Sequence, residues 1–386
     1  MRTYKWIYLI LVSSVLISCS KSSEEELIGD WQKRATFPEY QRAYAATFVI
    51  GNEGYVVGGT LGTKALLNDA YAFDHTGGGR DKRTGKSTGT WRQVKDFPGR
   101  ARQQAVGFSL KVNGQSYGFV GAGWSYDADN EDEIRRDFWR YDPANDSWEE
   151  VAPLPDNAKA RRAAIAFSLK IGDTEYAYVG CGFTIDENRP SFLLDFWRYD
   201  PVNNEWTPEL GYGGNKRAGA AAFVIENRAY ICTGENTTGP GSVVDFWMFD
   251  PSSGEKWTNL RTMANANPDE DYDDDYGGLA RSFGVAYVAQ VGGELRGHIV
   301  GGRNSTNYQN WEYDHNEDLW TQRTKFINNA GTTSSREGMV AFSFPETQRA
   351  YIGMGKASGS TSTTSIYDDM WEFVPLEDDY TYDDLF

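Results

Sequence analysis

Apolar residues in this chain come in runs of about four to eight, broken by Gly, Asn and Asp, and no long segment of the main body repeats with a 3.6-residue period. Runs of this kind predict strands joined by turns, and therefore an all-β body. A tryptophan recurs at Trp31, Trp91, Trp148, Trp206, Trp257 and Trp320, 51 to 63 residues apart, with the same order of features between copies. Each unit has an arginine, a strand of small residues, a second strand ending in glycine, a variable stretch, an aromatic strand, a tight turn and the next tryptophan. Self-similarity at such a period is the mark of a repeat architecture in which each unit forms one small sheet.

The glycine-ended strands include Tyr55-Val-Val-Gly-Gly59, Tyr178-Val-Gly-Cys-Gly182 and His298-Ile-Val-Gly-Gly302. The aromatic strands include Phe138-Trp-Arg-Tyr-Asp142, Phe196-Trp-Arg-Tyr-Asp200 and Asn310-Trp-Glu-Tyr-Asp314. Small-residue strands such as Ala218-Gly-Ala-Ala-Ala222 suit a crowded centre where sheets converge on a channel. With a glycine doublet followed by Tyr and Trp at fixed offsets, residues 29–376 resemble the kelch family, which implies a β-propeller. The last unit has three strands and no closing Trp strand, whereas Trp31 has no strands before it. Residues 29–33 are therefore expected to complete the last sheet, giving a six-bladed kelch-type β-propeller closed by its N-terminal strand, with no exposed sheet edge at the seam.

The first residues point to export. Arg2 and Lys5 precede an apolar stretch over residues 6–17, too short to span a membrane as a stable helix, and Leu16-Ile-Ser-Cys19 follows. That sequence resembles a bacterial lipobox. It implies a signal peptide over residues 1–18, lipid on Cys19, an anchoring linker over 19–28 and an acidic tail over 377–386. The expected location is the outer membrane, on the cell surface or the periplasmic face, with the chain acting as a monomer. A net charge of −17 argues against nucleic-acid binding, which needs Lys and Arg to neutralise phosphates.

Charged residues repeat as well. Arg42, Arg102, Arg161, Arg217, Arg281 and Arg336 each lie six residues before an aromatic, and Asp69, Asp137, Asp195, Asp245 and Asp369 precede the aromatic strands, with Gln309 in the fifth unit. Arginines and aspartates at the same ends of their strands are expected to pair as a structural ring, because a buried charge needs a partner. Galactose oxidase, a copper enzyme, shares the kelch architecture, but His75, His298 and His315 fall in different units and are not expected to converge on a metal. No cofactor is expected. Cys181 and Cys232 are read as buried free thiols. Residues 77–87 resemble a phosphate loop with one residue too many, and residues 271–277 resemble a calcium loop without its closing Glu. Both are read as solvated loops.

The residue after each glycine-ended strand turns toward the channel mouth: Thr60, Trp124, Phe183, Glu235, Arg303 and Lys356. An aromatic arc of Trp124 and Phe183 facing a polar arc of Glu235, Arg303 and Lys356 has the general form of a carbohydrate pocket. Six intact structural repeats without a strong catalytic motif favour a binding module, presenting its loop face to a glycan, an acidic sugar or a protein partner. The alternative is an enzyme similar to the N-acetylneuraminate epimerase family, exported six-bladed kelch proteins that exchange sugar anomers. That resemblance implies Glu235 as base and Arg303 or Lys356 as the group holding a sugar carboxylate.

Overall fold

The computed structural model describes residues 28–375 apart from 63–64, 83, 127–128, 130, 305–308, 327–334 and 361–364. The lipobox with Cys19, the signal segment and the acidic tail lie outside the described residues. Six four-stranded antiparallel sheets follow one another around a central channel, so the fold is a six-bladed kelch-type β-propeller. Blade 1 is built from Ala46–Ile50, Glu53–Thr60, Leu66–Asp74 and Thr90–Val94, and blade 2 from Val106–Val112, Gln115–Gly121, Phe138–Asp142 and Ser147–Val151. Blade 3 comprises Ile165–Ile171, Thr174–Gly180, Phe196–Asp200 and Glu205–Glu209, and blade 4 Ala221–Ile225, Arg228–Cys232, Trp247–Phe249 and Trp257–Asn259. Blade 5 contains Val285–Val291, Glu294–Val300, Asn310–Asp314 and Leu319–Arg323.

Blade 6 draws on both ends of the chain. Val340–Phe344, Arg349–Gly353 and Met370–Val374 come from the C-terminal part, and the outer strand is Asp30–Lys33, with Trp31 opposite Phe373 and Lys33 opposite Trp371. The ring is thus closed by pairing chain start to chain end, as the missing strand of the last repeat requires.

Packing explains the repeating residues. The aromatic six positions after each ring arginine faces an aromatic on the second strand of its own blade. Phe48 stacks on Tyr55 (4.8 Å between centroids), Phe108 on Phe119 (5.1 Å), Phe167 on Tyr178 (5.2 Å) and Phe223 on Tyr230 (5.2 Å). In blade 5 the partner of Tyr287 is His298, stacked at 4.7 Å and 3° between planes. The recurrent outer tryptophans fasten neighbours together. Trp91, Trp148, Trp206 and Trp257 donate their indole N–H to the carbonyls of Ala35, Lys95, Ala152 and Leu210, and Trp31 does the same to Thr324, each just beyond the outer strand of the preceding blade. A large apolar ring with one polar handle is suited to this position.

The ring arginines are buried to 2 % exposure or less. Arg42, Arg102, Arg161 and Arg336 make bidentate bonds to Asp69, Asp137, Asp195 and Asp369, and Arg217 reaches Asp245 at 2.5 Å. The same aspartates, from blade 2 onward, accept the indole N–H of Trp139, Trp197, Trp247 and Trp371. Arg281 differs: opposite Gln309, its bonds among the described residues go to carbonyls, those of Leu279, Gly301, Gln309 and Gly278.

Candidate functional site at the channel mouth

Two rings of backbone hydrogen bonds run round the channel. In the first, the amides of Gly59, Gly123, Gly182, Gly234, Gly302 and Gly355 donate to the carbonyls of Arg102, Arg161, Arg217, Arg281, Arg336 and Arg42 of the next blade, at 2.6–2.9 Å. In the second, Tyr44, Gln104, Ala163, Gly219, Phe283 and Gly338 each donate to the equivalent carbonyl of the preceding blade, at 2.7–3.1 Å. This second ring is a closed collar. All six of its residues have positive φ, between 50° and 63°, although four of them are not glycine. Glycine is required at the other two places: a Cβ on Gly219 would lie 2.8 Å from the Phe283 ring, and one on Gly338 would lie 2.6 Å from the Tyr44 ring.

The collar rims a central cavity of about 230 Å³ walled by small residues at or just before the start of the inner strands, such as Ala105, Ala164, Ala220 and Ala286. Tyr44 and Phe283 meet edge to face at 5.6 Å on its rim. Directly outside the collar, each residue of the loop-facing set pairs with the residue after a ring arginine: Thr60 with Ala43, Trp124 with Gln103, Phe183 with Arg162, Glu235 with Ala218, Arg303 with Ser282 and Lys356 with Glu337. Repeated geometry therefore delivers two side chains per blade to the mouth.

Three of the residues expected from sequence come together. Arg303 lies 3.4 Å from both carboxylate oxygens of Glu235, and its Nε donates to Glu337. Its Nη2 donates to the Tyr44 hydroxyl at 3.3 Å, and its guanidinium covers the Phe283 ring at 4.4 Å. Lys356 Nζ is 3.3 Å from the other oxygen of Glu337 and 5.7 Å from the centre of the Tyr44 ring. Ser282 donates to Glu235 at 2.8 Å. Burial raises the Tyr44 phenol well above its ordinary pKa, and Glu337 adds to this, so Tyr44 stays protonated. Burial works against the Arg303 charge, but Tyr44, Glu337 and Glu235 outweigh it and hold its pKa above the usual arginine value.

The other expected residues make their own contacts outside this cluster. Thr60 turns into its own loop, bonding the carbonyls of Gly62 and Ala65. Trp124 and Phe183 start two short hairpins, Trp124–Tyr126 with Asp132–Ile134 and Phe183–Asp186 with Arg189–Phe192. Trp124 packs edge to face on Tyr126, and Phe183 packs on Phe192 and under the Arg162 guanidinium at 4.5 Å. Sequence reasoning missed Tyr44, Phe283, Ser282, Glu337 and Arg162. The signal was there: Ser282, Glu337 and Arg162 each follow a ring arginine, and Tyr44 and Phe283 come one place later.

The histidines lie elsewhere. His75 is held between the Asn52 carbonyl and Thr347, each at 2.8 Å, and fully buried His298 lies 3.6 Å from Glu312, with burial pulling its pKa to about 4. His315 is 3.9 Å from Glu226. Cys181 and Cys232 are buried free thiols, each pushed up to about 12 by burial. Residues Asp271–Asp273 and Tyr276–Gly278 form short 3-10 turns, and among the described residues no group of three or more His, Cys, Asp or Glu could hold a metal ion.

With this geometry in place, comparison with known proteins points in one direction. The chain resembles N-acetylneuraminate epimerases. It is 25 % identical over 273 residues to the N-acetylneuraminate epimerase of Pasteurella multocida, covering 62 % of this chain and 69 % of that one. It is 26 % identical over 235 residues to N-acetylneuraminate epimerase 1 of Escherichia coli O6:H1, covering 53 % and 58 %. With the Yersinia enterocolitica epimerase it shares 26 % identity over 162 residues, and the match spans only 41 % of that protein. The solved structure of YjhT superimposes with a TM-score of 0.62 at 14 % identity, covering 87 % of this chain and 95 % of the other, a likeness of fold. No known family profile matches the chain.

Proposed function

We propose that this protein is an exported sugar mutarotase whose active site is the channel mouth, held at a membrane through lipid on Cys19. The observation that carries the reading is the meeting of Glu235, Arg303, Glu337, Lys356 and Tyr44 above the collar. The names of the relatives support a sugar as the substrate.

Anomer exchange needs a base for the anomeric hydroxyl and an acid for the ring oxygen. Glu235, oriented by Ser282 and Arg303, takes the hydroxyl proton as the bond from the anomeric carbon to the ring oxygen breaks. Lys356 protonates the departing ring oxygen, and the open-chain carbonyl sugar results. Rotation about the adjacent carbon–carbon bond exposes the other carbonyl face, and reclosure returns each proton to its donor. The Tyr44 phenol, protonated and accepting from Arg303, offers its own hydrogen to the sugar, while Glu337, 1 % exposed, fixes the two cations.

Anomer exchange of a panel of acidic and neutral sugars, followed by NMR, tests this. Acceleration above the buffer rate is expected for the wild type, with loss of about 100-fold or more in Glu235→Gln. Binding with no acceleration would make the mouth a glycan-binding module instead, and neither binding nor acceleration would end the sugar reading. Cys19→Ser is expected to shift the protein from the membrane to the soluble fraction. Unchanged fractionation would remove the anchor.

A further inference from the structure

Charge at the mouth is unevenly satisfied. Arg303 and Lys356 are already matched by Glu235 and Glu337, two cations against two carboxylates. Arg162 is not. It lies on the blade 3 side, with its guanidinium over the Phe183 ring at 4.5 Å, and its Nη1 donates to the Gln104 side-chain carbonyl at 2.6 Å. Among the described residues no carboxylate lies within ion-pair distance of it. Because the oxygen of the Gln104 amide is committed to Arg162, its NH₂ faces away from that bond with both hydrogens to give. The Phe183 ring and the collar residue Gln104 thus hold a guanidinium and an amide donor side by side, with donors to spare.

From this geometry we infer that Arg162, with Gln104, forms the carboxylate subsite of the mouth and selects acidic over neutral sugars, in place of Arg303 or Lys356. The inference rests on the sugar reading above and adds to it the residue that reads the ligand's charge. A guanidinium suits the task, since it offers a carboxylate two parallel N–H donors. Its surroundings also leave room for an incoming anion: burial pulls the Arg162 pKa down and the like charge of Arg303 adds to this, while Glu235, Asp132 and Tyr44 resist it without reversing it. A carboxylate bound at Arg162 offsets both effects by stabilising the charged guanidinium. It also leaves Glu235 and Lys356 to act at the anomeric centre, a separation of holding from reacting groups that Arg303, pinned between two carboxylates, does not provide.

Calorimetric binding of N-acetylneuraminate and its methyl ester to the full-length protein, with anomer exchange of both followed by NMR, tests the assignment. The wild type is expected to prefer the acid. Arg162→Gln should weaken acid binding by about 10- to 100-fold, leave ester binding within about twofold and so abolish the preference, with Arg162→Lys recovering part of it. Gln104→Leu, which keeps the collar backbone intact, should lower the same acid-to-ester ratio and serves if Arg162→Gln fails to fold. A wild-type ratio near one, or an unchanged ratio in both Arg162→Gln and Gln104→Leu, overturns the subsite while exchange by the wild type leaves the sugar reading standing. If the wild type neither binds nor exchanges either sugar, the sugar reading falls and takes the subsite with it.

Discussion

The Tyr44 amide in blade 1 donates to the Gly338 carbonyl in blade 6 at 2.8 Å, completing a circle of six hydrogen bonds around the channel. The same Tyr44 covers Gly338 with its ring and accepts a bond from Arg303 through its hydroxyl. One residue thus joins the seam of the propeller, the floor of the mouth and the charged cluster. Left-handed backbone costs a non-glycine residue about 1–2 kcal/mol, so Tyr44, Gln104, Ala163 and Phe283 are held there by the ring itself.

The collar can be opened at Ala163, whose φ is 50° and whose amide donates to Gln104 at 3.0 Å. Ala163→Pro removes the donor and demands a negative φ, and should cost about 3 kcal/mol or more. Ala163→Gly keeps the bond and accepts the backbone, and should cost less than about 1 kcal/mol. Denaturant midpoints of the two variants check the contrast. Equal losses would show that the collar adds nothing to stability.

Closure makes a second prediction. Trp31 is 5 % exposed, packs on Phe326 and Phe373 at 5.0 and 4.9 Å, and bonds Thr324. Trp31→Ala should cost about 3–5 kcal/mol, because it vacates a packed site at the seam. Trp124→Ala, at a half-buried hairpin residue, should cost about 1 kcal/mol or less. Thermal melting of both proteins separates a closing strand from a linker: if Trp31→Ala melts like Trp124→Ala, Asp30–Lys33 does not secure the ring.

These features differed in how far the sequence disclosed them. Blade number and the closing strand were legible because Trp31 and the glycine-ended strands repeat, and a strand missing at one end must be supplied by the other. Glu235, Arg303 and Lys356 were legible as neighbours because they share one offset in three successive repeats. Tyr44 and Phe283 were not. Positive φ is usually announced by glycine, and only Gly219 and Gly338 carry that sign at the collar. Glu337 and Arg162 stand next to ring arginines, where the repeated residue draws attention from its variable neighbour. Which cation is already neutralised depends on distances between blades, and no spacing along the chain encodes those.

Acid should weaken the arginine ring in a defined window. Burial alone would raise the Asp137 pKa, but its bonds and charge interaction with Arg102, helped by Trp139, outweigh that and lower it to about 2 from 3.8. A carboxylate with a depressed folded-state pKa contributes stability that is complete above its unfolded value and is lost as pH falls from about 4 through about 2. The contribution at neutral pH is about 2 kcal/mol. Melting temperature measured from pH 7 to pH 2 should fall less steeply below pH 4 in Asp137→Asn than in the wild type, from a lower starting point. Parallel curves would contradict the assignment.

Blade 5 offers a gain of stability. Arg281 is wholly buried, and burial brings its pKa down to about 9, so it is charged at neutral pH with four carbonyls as its partners among the described residues. Its desolvation cost is therefore already present in the folded state. The aspartates facing the other ring arginines keep 14 to 41 % of their side-chain surface exposed, so a carboxylate at this position loses little hydration. Gln309→Asp should place such a carboxylate within reach of Arg281 and of the Trp311 indole, which now meets the Gln309 amide oxygen at a long 3.4 Å. The Gln309 side chain lies against Gly278, and the shorter aspartate fits within the same space. A gain of about 1–2 kcal/mol is expected from the charge-assisted bonds, less the small desolvation of the new group. Because the benefit is electrostatic and partly exposed, it should shrink in high salt. Denaturant midpoints at low and high ionic strength decide it: a variant less stable than the wild type at low salt would mean that the carbonyl cage already satisfies Arg281 and that blade 5 has no use for an aspartate.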